Sequence, residues 1–121
     1  MNSAEKKSNI RERTYAFSLR IINLCKALDD NRIGRVLFNQ LLRSGTSIGA
    51  NVEEAQGDQS KKDFLAKLSI ARKEARETHY WLRLLRDSGT LPKEKMSEII
   101  DECEQITKIL TSIILSTQEN S

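Results

Sequence analysis

Five side chains, Arg72, Arg76, His79, Arg83 and Arg86, step along the sequence by four, three, four and three residues. That spacing puts them on one face of a helix, over a length of about 20 Å. Lys62 and Lys73 extend the stripe. A guanidinium can donate two parallel hydrogen bonds to a phosphate and keeps its charge at any physiological pH. The set Lys62, Arg72, Lys73, Arg76, Arg83 and Arg86 is therefore a candidate track for a phosphate backbone. The same spacing also fits a solvated face whose charges pair with acids on a neighbouring helix. No aromatic residue interleaves the stripe, so base stacking is not expected from it.

Carboxylates offer a second chemistry. Glu74-x-x-Glu77 and Glu98-x-x-Asp101 carry four acids at helical spacing, the kind of oxygen set that holds Mg²⁺ in some all-α pyrophosphohydrolases. Such pairs also arise by chance in charged helices, and acids near a helix start suit its dipole. A di-iron bundle site needs Glu-x-x-His, and the residue three before the single histidine is Arg76. Neither a GxxxxGK[ST] loop nor a GxGxxG loop occurs. Cys25 and Cys103 form no metal-ligand spacing and fall on apolar stripes, so both are expected as small core residues, the alternative being a disulfide, which is unusual in a cytoplasmic protein. No catalytic residue, metal or cofactor is assigned.

Four stretches of helical periodicity must position these groups. The first runs over about 10–28 with Phe17, Ile21, Leu24 and Leu28, widened by Ile22 and Cys25, and Asp29-Asp30-Asn31 ends it. The second, about 33–56, carries Leu37, Leu41, Ser44, Ile48, Asn51 and Ala55; Gly57 is expected as a left-handed stop. Ser60-x-x-Asp63 then caps the third helix, 61–87. Its seam, Phe64, Leu68, Ala71, Ala75, Thr78, Leu82 and Leu85, is heptad-like. Ser88-Gly89 stops it. Pro92 opens the fourth, 92–116, with Ile99, Cys103, Ile106, Leu110 and Ile113 as its seam and Met96, Ile100 and Ile114 beside it. Short connections make sequential helices antiparallel neighbours. The expected fold is all-α, an up-down-up-down four-helix bundle over 10–116, with frayed ends at 1–9 and 117–121.

Two features break the pattern. Gly45 and Gly49 sit inside the second helix, where each glycine costs about 1 kcal/mol. Four residues apart, they share one face and permit close approach, either within the chain or between subunits. The other flank of the third helix, Ile70, Trp81 and Leu84, adds apolar surface beyond one seam and suggests self-association.

Composition sets the remaining bounds. The chain has 121 residues, 31% of them charged, with one proline and 5% aromatics, which disfavours an all-β domain. No apolar run approaches the roughly 20 residues needed to span a bilayer. No signal peptide is evident, so a cytoplasmic protein without membrane contact is expected. The formal charge is +3, but it is polarised. Residues 60–86 hold eight basic and three acidic groups, net +5, whereas 87–121 hold three and seven, net −4.

Three segments carry a family resemblance: Gln40-Leu-Leu-Arg-Ser-Gly-Thr-Ser-Ile-Gly-Ala-Asn-Val-Glu-Glu-Ala55, Ser60-Lys-Lys-Asp-Phe64 and Ile70-Ala-Arg-Lys-Glu-Ala-Arg-Glu-Thr-His-Tyr-Trp-Leu82. They resemble the bacterial four-helix bundle proteins whose founding members are encoded in intervening sequences of 23S ribosomal RNA genes. The resemblance spans about Arg11 to Ile114. It implies a left-handed up-down-up-down bundle, a homopentamer and no enzymatic activity. A distant cousin is the accessory protein of diversity-generating retroelements, whose basic pentamer engages a reverse transcriptase and nucleic acid. Two functions follow as expectations: an oligomer that binds RNA or DNA through its basic face, or an oligomeric scaffold for another protein.

Overall fold

The computed structural model describes residues 3–26, 32–57 and 60–120, with side chains from Asn9 onward in the first helix and from Ile33 in the second. Four helices account for nearly all of them: α1 (Ser3–Lys26), α2 (Arg32–Gln56), α3 (Lys61–Asp87) and α4 (Lys93–Glu119). Each helix packs on its neighbour in sequence and α4 closes on α1, while the diagonal pairs stay apart. The direction of packing is legible in side-chain pairs. Ser44 meets Thr78 and Glu54 meets Lys67, so residue numbers rise along α2 as they fall along α3. The same reversal relates α1 to α4, where Arg13 meets Glu102 and Arg20 meets Glu98, and the short connection between Asp87 and Lys93 turns α4 back along α3, where Cys103 meets Ala75. This is the expected antiparallel bundle.

The seams form one core. Phe17 and Ile21 of α1, Leu41 and Ile48 of α2, Leu68, Leu82 and Leu85 of α3, and Ile106, Leu110 and Ile113 of α4 are buried together. Each such aliphatic or aromatic side chain contributes about 1.5–3 kcal/mol by leaving water. Thr14 is buried in the α1 stripe as well, because its hydroxyl returns to the Ile10 carbonyl at 2.8 Å and needs no other partner.

The helix ends differ from expectation in physically specific ways. α1 begins at Ser3 rather than near residue 10. Ala4, Glu5, Lys6 and Lys7 are strong helix formers that carry no apolar stripe, so periodicity does not mark them. α4 continues to Glu119, and Thr117 donates to the Ile113 carbonyl at 2.7 Å inside that last stretch. Pro92 sits at the N-cap of α4 rather than within its first turn. Gly57 is not left-handed; Gly89 is, with φ of 73°. There it ends α3, as Ser88 N–H reaches the Leu84 carbonyl and Leu91 N–H reaches the Leu85 carbonyl, which folds Leu91 back into the core. Ser60 caps α3 as its sequence predicts, with Oγ accepting from Asp63 N–H at 3.0 Å. Leu28 and Asp29-Asp30-Asn31 lie outside the described residues.

Candidate nucleic-acid interface

Between α3 and α4 the outer surface holds a groove of about 390 Å³, lined by Arg76, His79, Arg83, Glu104, Thr107 and Lys108. Three permanent cations thus surround one carboxylate. His79 Nε2 lies 2.9 Å from Glu104 Oε1. Among the described residues that is the only pair joining the arginine face to an acid on α4. Arg76 on one wall and Lys108 on the other have no ion-pair partner among the described residues. Their charge faces solvent and is available to an anion.

The candidate residues do not all share this groove. Arg72 is half-buried and Arg76 and Arg83 are exposed along the α4 side of α3. Lys62 and Lys73, eleven residues apart and so on one face, point outward, away from α4 by about a fifth of a turn or more. Arg86 is already engaged. Its Nε donates to Asp87 Oδ1 at 2.7 Å and its Nη2 to Oδ2 at 3.3 Å. The Asp87 carboxyl is held below its ordinary value by that guanidinium. Arg86 is therefore poorly placed to take a phosphate without giving up Asp87.

Lys108, Thr107 and Glu104 were not candidates from the sequence, and only the packing of α4 against α3 brings them to the stripe. Tyr80 was also missed. The residue is 48% exposed, the Arg83 guanidinium stands over its ring 5.8 Å from the centroid, and Trp81 forms a T-shaped pair with it at 5.2 Å. The signal was present in the sequence as an aromatic three residues before Arg83 and four after Arg76. An aromatic does stand beside the stripe, against the expectation of none.

Three of the four acids, Glu74, Glu77 and Glu98, meet cations of the chain itself, and Asp101 meets an amide. Arg43 of α2 bridges both Glu74, at 3.2 Å, and Glu77. Glu77 also accepts from Trp81 Nε1 at 3.3 Å. Burying the Glu74 carboxylate is tolerable because that guanidinium answers its charge. Glu98 pairs with Arg20 at 3.7 Å and Asp101 accepts from Gln105 at 2.7 Å.

Gly45 and Gly49 face α1. A Cβ on Gly45 would stand 2.9 Å from Ile21 Cγ1, and one on Gly49 would stand 3.2 Å from the Thr14 carbonyl oxygen. Their close approach is thus made within the chain. Trp81 and Leu84 are half-buried, whereas Ile70 is 42% exposed. A second apolar surface lies where α1 meets α2: Tyr15, Leu19 and Ile22 line a groove with Thr46, Gly49 and Ala50. Cys103 is buried, donates to the Ala75 carbonyl at 3.3 Å, and is pushed up to about 12 chiefly by burial, with Glu104 and Glu102 adding to it. Cys25 is only half-buried, short of the core position expected of it, and both thiols are free. Among the described residues no helix is long and apolar enough to cross a membrane.

Comparison with known proteins agrees with this architecture. No curated protein matches the chain. A crystal structure of a protein with unknown function from the S23 ribosomal protein family of Bacteroides thetaiotaomicron VPI-5482 is similar to it, with 44% identity and a TM-score of 0.85 over 90% of this chain and 97% of that one. A sequence model of the 23S rRNA-intervening sequence proteins matches residues 6–112, from within α1 into the last turns of α4. The motif of α2, the bundle it builds and this match over almost all of the helical core make the chain a member of the 23S rRNA-intervening sequence protein family.

Proposed function

We propose that the chain is a non-enzymatic, oligomeric helical-bundle module of the cytoplasm that binds RNA or DNA through the α3/α4 face. The observation that carries this reading is the pair Arg76 and Lys108, set on opposite walls of one groove without ion-pair partners among the described residues. Arg83 adds a third cation and Thr107 a hydroxyl donor. Such a face suits phosphate oxygens, which accept from guanidinium, ammonium and hydroxyl alike. Self-association, as a homopentamer by resemblance to the family, would repeat the groove around an axis. A formal charge of only +3 per chain could then build a strong local field. The exposed Ile70, Tyr15 and Leu19 supply apolar area for subunit contacts.

A second reading is an oligomeric scaffold that binds another protein, favoured by the apolar α1/α2 groove. A salt titration decides between them. Binding of structured RNA or duplex DNA that falls steeply with salt supports the phosphate face. No binding at low salt rejects it and leaves the scaffold. Light scattering that gives a monomer across micromolar concentrations would reject self-association in either case.

A further inference from the structure

Tyr80 lies where the phosphate-binding reading of α3 has no use for a tyrosine, on the exposed side of the stripe between Arg76 and Arg83. Its neighbours on the helix surface, four residues back and three ahead, are those two arginines. Arg76 and Arg83 are separated by about 10 Å along the helix, with Tyr80 in the interval. Tyr80 is 48% exposed, so the side chain is open to a partner. It is also oriented. Trp81 forms a T-shaped pair with it at 5.2 Å and an interplanar angle of 69°, and Trp81 is itself anchored by Glu77 at 3.3 Å. The Arg83 guanidinium stands over the ring, 5.8 Å from its centroid, a cation-π contact that a base stacking on that face would displace towards the strand's phosphates.

We infer that this face takes single-stranded nucleic acid, with an unpaired base stacked on Tyr80 and the flanking phosphates held by Arg76 and Arg83. The inference rests on the phosphate-binding reading and narrows it. A duplex keeps its bases stacked on one another and offers a tyrosine no flat face, whereas every unpaired base has one. Alternation of cation, aromatic and cation along the helix matches alternation of phosphate, base and phosphate along a strand. Stacking is indifferent to base identity, so little sequence preference is expected.

The test is fluorescence anisotropy on the full chain with labelled single strands of about 20 nucleotides, in RNA and in DNA, and with the corresponding duplexes. Wild-type protein should bind one or both single strands more tightly than either duplex. Tyr80→Ala and Tyr80→Leu should each weaken single-strand binding about tenfold and leave duplex binding unchanged, while Tyr80→Phe should bind as wild type. Leucine keeps the apolar bulk and the helix, so a loss shared by both variants reports the flat ring rather than the fold. Comparable RNA and DNA affinities would assign the recognition to base and phosphate; an RNA preference would add the 2′-hydroxyl. Unaltered binding by Tyr80→Leu, or a loss in Tyr80→Phe equal to that in Tyr80→Ala, overturns the inference. Duplex binding equal to or tighter than single-strand binding also overturns it but leaves the phosphate face standing. Failure to bind any probe at low salt rejects both.

Discussion

The Thr78 hydroxyl donates to Ser44 Oγ across 2.9 Å, at a point where neither residue is exposed. The same proton is shared with the Glu74 carbonyl at 2.8 Å, and Ser44 Oγ reaches the Leu41 carbonyl at 3.4 Å. A polar contact thus sits within the α2/α3 seam, where a residue register could otherwise slide. Replacing one member removes the bond between the helices and leaves the other hydroxyl only the carbonyl on its own helix, whereas replacing both restores an apolar seam. Thr78→Val and Ser44→Ala should each cost about 1–2 kcal/mol, and the double variant less than their sum. Urea unfolding of the four-member cycle measures the coupling, and strict additivity would refute the link.

The glycines of α2 give a prediction opposite to helix propensity. Alanine alone would stabilise each position by about 1 kcal/mol. A Cβ at Gly45 would press on the fully buried Ile21, with contacts of 2.9 and 3.0 Å. One at Gly49 would meet Ser18 Oγ at 3.1 Å and α1 backbone at 3.2 Å. Overpacking of this kind costs about 1–3 kcal/mol, so both variants should melt at lower temperature than wild type. A rise in Tm for either would mean that α1 gives way freely.

Cys103 sets an alkaline limit. Burial raises its thiol from 9.0 to about 12. Between those values the unfolded chain has lost the proton and the folded chain still holds it. Stability from this group is therefore complete below pH 9 and falls as pH rises towards 12. The loss is at most about 4 kcal/mol, and Cys103→Ala should remove that part of the pH dependence. Cys25, half-buried, should be alkylated well before Cys103 in the native protein. Equal alkylation rates would contradict the packing of α3 on α4.

For the basic face, Arg76→Ala combined with Arg83→Ala should weaken nucleic-acid binding alike for all sequences. The slope of log affinity against log salt should fall by about two per engaged subunit. Stability should change by no more than about 0.5 kcal/mol per substitution, since both side chains are exposed. Arg86→Ala should have a smaller effect on binding, because Asp87 already holds that guanidinium. If the double variant dissociates or unfolds, the two arginines serve the assembly instead.

The apolar periodicity determined the bundle. Leu68, Ala71, Ala75, Thr78, Leu82 and Leu85 of α3 are all buried as the heptad requires, and so are Ile99, Cys103, Ile106, Leu110 and Ile113 of α4. Periodicity works there because a bundle helix with one face in solvent buries a stripe that is predominantly apolar, and polar members such as Thr78 enter it only with hydrogen bonds made. Caps were legible where a side chain makes the capping bond, as at Ser60, and not where backbone geometry alone decides. Gly57 and Gly89 both follow helices, yet only Gly89 turns left-handed, a choice fixed by where Leu91 must go.

The site was legible only in part. One helix face is a local property, so the alignment of Arg72, Arg76 and Arg83 followed from the sequence. Which charges stay free is not local. It depended on Arg43 reaching from α2 to Glu74 and Glu77, on Asp87 holding Arg86, and on Lys108 arriving from α4 opposite Arg76. Likewise the spacing of Gly45 and Gly49 marked a close approach, but the packing of Ile21 and Thr14 against them decided that α1 makes it. Periodicity specifies which face of each helix turns inward. Only the register between helices, set by core packing and by contacts such as Ser44 with Thr78, decides which polar groups meet.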